Sequence, residues 1–132
     1  MSVYVDTSAF LAVLDADDDN HQPAKQTWAD LLTARETLIC TSYVLVETFA
    51  LVQHRLGMGA VRAFQEDIVP VLQIEWIGED LHQQAVNALL TANRRNLSLV
   101  DCASFAVMRS LGLRKVFAFD GHFSEQGFAC LP

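Results

Sequence analysis

The chain has 132 residues, 52% hydrophobic and 19% charged, which is enough apolar material for one self-contained domain over 1–132 and excludes a disordered tail. Sixteen acidic and nine basic residues leave a net charge of −7, opposite in sign to the usual nucleic-acid binder, so a phosphate-bearing ligand would need a cation to offset the repulsion. No apolar run reaches the roughly 18 residues of a membrane span, and no basic stretch and cleavage site mark an export signal, so the expected compartment is the cytoplasm.

Residues 2–5 are β-branched and aromatic and predict a short strand ending at Asp6. Residues 8–14 predict a buried helix capped by Thr7 or Ser8. DADDDN at 15–20 is a turn. Its alternating acids suggest a calcium loop, but Asn20 stands where such a loop needs Gly and Gln26 where it needs a bidentate acid. A solvated turn near the mouth of a cleft fits better. A helix follows over 22–35, with Pro23 in its first turn. Then come a strand at 37–41, a long helix from a Thr41 or Ser42 cap to Leu56, and a Gly57 stop. A helix at 59–68 is stopped by Pro70. A strand at 71–77 precedes a polar-faced helix at 79–95. Ser98 caps a helix through Leu111, closed by Gly112, and KVFAF at 115–119 and FACL at 128–131 predict the last strands.

Alternating strands and helices imply an α/β fold, a three-layer α/β/α sandwich with a mainly parallel sheet of four or five strands. Ligands of such sheets sit beyond the carboxyl ends of the strands, where Asp6 and Asp120 stand. Cys40, Cys102 and Cys130 lie far apart without a CxxC pair and read as reduced core thiols. Trp28, Trp76 and most Phe residues read as core or dimer contacts.

Four acids stand in places that a purely structural protein rarely uses. Glu47 lies in YVLVETFALV (43–52), where eight of ten residues are apolar, so the helix is expected to be largely buried and its carboxylate costly unless paired or metal-bound. Asp101 lies in SLVDCASFAVM, where it also matches a capping box with Ser98. Asp120 precedes Gly121 and could be turn chemistry, and Asp6 could be a helix cap. Taken together they suggest convergence. Carboxylates about 5 Å apart repel by about 3 kcal/mol per pair at an effective dielectric near 20. Protonation or a cation must relieve that repulsion. An all-oxygen set selects a hard ion, Mg²⁺ or Mn²⁺, and the four histidines show no HxH or HExxH spacing for zinc.

The segments VYVDTSAF, SYVLVETFAL, LSLVDCASFAVMRSLG and VFAFDGHFSEQGF, in this order, resemble the PIN-domain family, and in particular its VapC-like toxin nucleases. The resemblance spans essentially the whole chain. It implies a metal-dependent ribonuclease in which Asp6, Glu47, Asp101 and Asp120 bind Mg²⁺ or Mn²⁺ and activate water, with Ser8 assisting by hydrogen bonding. It also implies a homodimer silenced by a small antitoxin whose tail enters the acidic cleft. The chain departs from some members in lacking a further acid just after Asp120, which favours one tightly held ion. His122 either faces the substrate or caps the turn with its ring. Of the adjacent basic pairs, Arg94–Arg95 and Arg114–Lys115, either could be ordinary helix-end charge or an RNA contact.

The expected function is therefore an endoribonuclease acting as the toxin of a toxin–antitoxin pair. The alternatives are a stand-alone RNA-processing PIN nuclease or a non-catalytic PIN-like module that binds RNA or protein. An Asp-nucleophile phosphatase usually carries a second acid where Ser8 stands. A receiver domain needs an acidic pair after its first strand, and none follows VYV.

Overall fold

The computed structural model describes residues 1–132. Five strands form one parallel sheet in the order β3-β2-β1-β4-β5, with β1 Ser2–Val5, β2 Thr37–Thr41, β3 Leu72–Glu75, β4 Lys115–Phe117 and β5 Ala129–Leu131. The three-layer α/β/α architecture is the expected one. The central strand β1 is buried from Val3 to Val5, which is why it reads as an unbroken apolar run instead of an alternating one.

From β1 the chain steps outward through β2 to β3, then crosses back over to β4 and β5 on the other side of β1. Right-handed crossovers therefore place α1 (Thr7–Leu14), α2 (His21–Thr33), α3 (Ser42–Leu56) and α4 (Met58–Ala63) on one face. They place α5 (Glu79–Ala92), α6 (Leu99–Leu111) and α7 (His122–Glu125) on the other. The sense of winding reverses between β1 and β4, which are paired as Tyr4 with Val116 and Val5 with Phe117. Such a switch point opens a crevice beyond the strand ends.

The core joins both faces through the sheet. Phe10, Phe64 and Phe49 meet edge to face on one side, and Phe105, Phe123 and Phe128 cluster on the other. Trp28 packs edge-on against Phe10, whereas Trp76 is 74% exposed and lies outside the core. All three cysteines are free, and burial pushes the Cys40 thiol up to about 12.

Several elements differ from expectation. Asp6, not Thr7 or Ser8, caps α1, accepting from the Ser8 backbone N–H. Thr41 caps α3. The predicted helix at 59–68 is α4 followed by a wider π turn at Phe64–Ile68 and a 3₁₀ turn at Val69–Val71 that contains Pro70. β3 is shorter than 71–77, and β4 stops at Phe117 before the predicted 119. α5 ends at Ala92 because Asn93 adopts φ 52°, freeing residues 94–97 as a loop. The short helix α7 was not predicted. α3 is not buried all round: Val46 is 65% exposed, because the helix covers one face of the sheet and turns its other side to water. The acidic turn at 15–20 closes on itself, Asp15 accepting from Asp17 N–H and Asp18 from Asn20 N–H, and none of its residues lines the acidic cleft.

Candidate metal centre

The four acids arrive from four separate elements. Asp6 follows β1, Glu47 projects from the second turn of α3, Asp101 from the first turn of α6, and Asp120 from the end of the segment after β4. All four line one cleft, together with Ser8 and Ser98. The local reasons are ordinary. An extended residue after a parallel strand caps the next helix, which puts Asp6 at the strand end. Ser98 and Asp101 form the capping box anticipated from their spacing: Ser98 Oγ accepts from Asp101 N–H at 3.0 Å, and Asp101 Oδ2 accepts from Ser98 N–H at 3.1 Å. The cap leaves Asp101 facing the cleft, so capping does not withdraw its carboxylate from the other acids.

Ser8 ties the first and last acid segments together. Its hydroxyl donates to Asp6 Oδ2 at 2.7 Å and accepts from Phe119 N–H at 3.0 Å, and its own N–H donates to the same carboxylate oxygen at 3.1 Å. A hydroxyl ladder that sequence reading overlooked supports Glu47. Thr48 Oγ1 donates to Val44 O at 2.7 Å and lies 3.2 Å from Thr7 Oγ1, which also reaches Val44 O at 3.5 Å, so the two threonines hold the end of β1 against the turn of α3 that carries Glu47. Threonines next to Asp6 and Glu47 were the available clue, but a threonine on a helix is too common to single out.

The tightest grouping is Asp101, Asp120 and His122, whose ligand atoms all lie within 4.8 Å of one another. His122 Nδ1 is 3.0 Å from Asp120 Oδ1 and 3.4 Å from Asp101 Oδ2. The turn is closed by the His122 backbone N–H, which donates to Asp120 Oδ1 at 2.9 Å, so the ring is left free to face the two carboxylates. Nδ1 is buried and makes no hydrogen bond of good geometry. Asp6 and Glu47 face the same cleft but stand outside this closest set.

The carboxyls are held in an unfavourable charge state. Burial pushes Asp6 up to about 6, against two hydrogen bonds from Ser8 and with help from Asp101 and Asp120. Burial also raises Glu47, with Thr7 opposing and the charges of Asp101 and Asp120 adding to it. Asp101 is raised by burial first and by Asp120, with the Ser98 N–H opposing. Asp6 and Glu47 are thus destabilised as anions by Asp101 and Asp120, and Asp101 by Asp120, with only His122 beside them able to carry positive charge.

A parallel sheet whose switch point is ringed by acids from the first strand end, two helices and the fourth strand defines a protein class. The model of that class, the PIN domain, matches residues 3–129, and the chain belongs to the PIN domain family. Within it, the chain is 39% identical over 128 residues to the 23S rRNA-specific endonuclease VapC20 of Mycobacterium tuberculosis, covering 96% of this chain and 95% of the relative. The crystal structure of M. tuberculosis VapC20, described as a sarcin–ricin loop cleaving toxin, superposes with a TM-score of 0.85 at 36% identity, over 97% of each chain. VapBC2 of Rickettsia felis matches with a TM-score of 0.70 at 12% identity over 98% of this chain and 97% of that one. FitAcB of Neisseria gonorrhoeae matches at 0.69 and 15% over 98% and 96%; these two likenesses carry the fold alone.

Proposed function

We propose that this chain is an endoribonuclease that hydrolyses RNA phosphodiesters with one divalent cation, Mg²⁺ or Mn²⁺, and acts as the toxin of a toxin–antitoxin pair. The observation that supports it above all is the convergence of Asp6, Glu47, Asp101 and Asp120 on one cleft. The likeness to VapC20 extends the reading to 23S rRNA as substrate.

The residues fit a hard cation. Four carboxylates without a thiol suit Mg²⁺ or Mn²⁺. The raised proton affinity of Asp6, Glu47 and Asp101 marks a site short of positive charge, and the buried Nδ1 of His122 faces Asp101 and Asp120. Asp101 and Asp120 would hold the ion, with Asp6 completing the set. Held there, such an ion would supply Lewis-acid chemistry, polarising the phosphodiester and lowering the pKa of an attacking water. The protein's own contributions are positional. Ser8 fixes the Asp6 carboxylate in one orientation, and the His122 ring stands against both Asp101 and Asp120, its Nδ1 3.4 and 3.0 Å from their oxygens. Glu47, whose proton affinity burial raises, takes the proton of the attacking water.

The test is cleavage of purified 23S rRNA with Mg²⁺, with EDTA, and by Asp6→Asn and Asp101→Asn. Cleavage is expected with the metal-loaded wild type alone. Cleavage that survives EDTA, or persists in both variants, rules the mechanism out. A cytoplasmic setting, a homodimer and a small antitoxin that closes the cleft belong to the same reading; co-expression with the product of a short neighbouring reading frame should abolish cleavage.

A further inference from the structure

The acidic cleft repels the phosphates flanking the one being cut, so a nuclease with this site needs cations beside it that the four acids do not quench. The chain has only nine lysines and arginines, and its two adjacent basic pairs looked equivalent in the sequence. The fold separates them. Arg114 and Lys115 lie at the start of β4, at the amino edge of a parallel sheet whose acids are all beyond the carboxyl edge. Arg94 and Arg95 lie on the exposed loop that Asn93 opens and that runs into Ser98, a residue of the cleft wall.

A tether sets how near this loop stands to the acids. Arg94 Nη1 donates to Glu125 Oε2 at 3.0 Å. Glu125 is three residues from His122 on α7, so the two side chains share a helix face about 5–6 Å apart at Cβ. The His122 ring touches both Asp101 and Asp120. Arg94 is thus joined to the acid cluster by one side chain and one helical turn. The same flank carries Arg109, whose guanidinium donates to the uncharged Gln126 at 2.7 Å and lies 5.3 Å over the Phe128 ring. The acids of α5, Glu79 and Asp80, are in its first turn, at the far end from this loop. Glu125 is therefore the anionic partner of Arg94 here, in a pair open to water on both sides, at 41% and 50% exposure.

We propose that the Arg94–Arg95 loop binds the backbone phosphates of the RNA on the α7 side of the cleft, and that Glu125 acts as an intramolecular competitor which Arg94 must leave to do so. This rests on the nuclease reading and adds a substrate-binding rim to it. An exposed arginine–carboxylate pair contributes little to stability, so a phosphate can displace it cheaply. A guanidinium meets a phosphate with the same two-pronged geometry that it uses for a carboxylate.

The test uses the full chain and a fluorescein-labelled sarcin–ricin stem-loop RNA, with anisotropy read across a salt series and cleavage kinetics measured in Mg²⁺. Removing one phosphate-binding side chain should make the slope of log affinity against log salt shallower by roughly 1. Arg94→Ala/Arg95→Ala is expected to flatten the slope by about 2 and to raise KM with kcat held. Glu125→Gln is expected to tighten binding several-fold, and Arg114→Ala, at the opposite edge, to match wild type. A double variant with the wild-type slope, or a Glu125→Gln that binds no tighter, overturns the rim while wild-type cleavage leaves the nuclease reading standing. A wild type that neither binds nor cleaves the RNA overturns both.

Discussion

At the scale of single residues, the site is a set of charges kept where water would ordinarily not leave them. Asp6 is 4% exposed and its carboxyl is pushed up to about 6, against about 3.9 in an unfolded chain. A folded-state pKa raised in this way means that the metal-free fold holds the proton more tightly than the unfolded chain. As far as Asp6 is concerned, stability is therefore greatest below about pH 4 and falls by about 3 kcal/mol as pH rises through 6. Denaturant unfolding in EDTA at pH 4 and pH 7.5 should show most of that loss, and Asp6→Asn should remove it while abolishing cleavage. An equal or larger loss in Asp6→Asn would mean that another group carries the effect. Ser8 admits a second test. Ser8→Ala strips a donor from a buried carboxylate and orphans the Phe119 N–H, a cost of about 1–3 kcal/mol, and should cut cleavage through misorientation of Asp6. The acids themselves were legible in the sequence because each interrupts an apolar run. The ring of His122 was not, because its contacts depend on which group closes the turn after Asp120, and the backbone N–H does so.

At the scale of elements, α6 places one side chain both in its cap and in the acidic cleft. Asp101 closes the capping box and faces Asp120 and His122, so its replacement confounds the two. Ser98 separates them. Ser98→Ala removes the hydroxyl that accepts from Asp101 N–H and should cost about 1 kcal/mol, or roughly 3–4 °C in Tm, whereas Ser98→Gly should cost only a few tenths. If the cap also orients Asp101 for the ion, Ser98→Ala should raise the Mg²⁺ concentration needed for half-maximal cleavage, and a Tm loss with unchanged metal dependence would confine Ser98 to capping. Helices and strands with clear periodicity and caps stood close to where the sequence put them. The departures share a cause. Asn93 in the left-handed conformation, the π turn before Pro70 and the single turn of α7 are each decided by backbone geometry over one to five residues, and no hydrophobic period is long enough to register them.

At the scale of the whole molecule, alternation of strands and helices was enough to predict a parallel sandwich, but not that β1 and β4 are neighbours. That adjacency comes from the return crossover after β3 and is what brings Asp6 and Asp120 to one crevice. With it, the excess of seven negative charges acquires a local meaning: part of it is concentrated in one cleft beyond the strand ends. An ion that binds the folded chain and not the unfolded one stabilises it by RT ln(1 + [ion]/Kd), about 2.7 kcal/mol at one hundred times Kd. Wild-type Tm at pH 7.5 should therefore climb with Mg²⁺ or Mn²⁺ and fall back in EDTA. Asp101→Asn, with one ligand charge and some of the repulsion gone, should start from a higher metal-free Tm, apart from its capping loss, and respond weakly. His122→Ala should still respond, but at roughly tenfold higher ion concentration, since a ring that orients two ligand carboxylates typically accounts for that much of the affinity. The metal-dependent rise in Tm is also independent of any RNA. A flat Tm in wild type across millimolar Mg²⁺ and Mn²⁺ would mean that the four acids relieve their repulsion by holding protons, and the cation would have no place in this cleft.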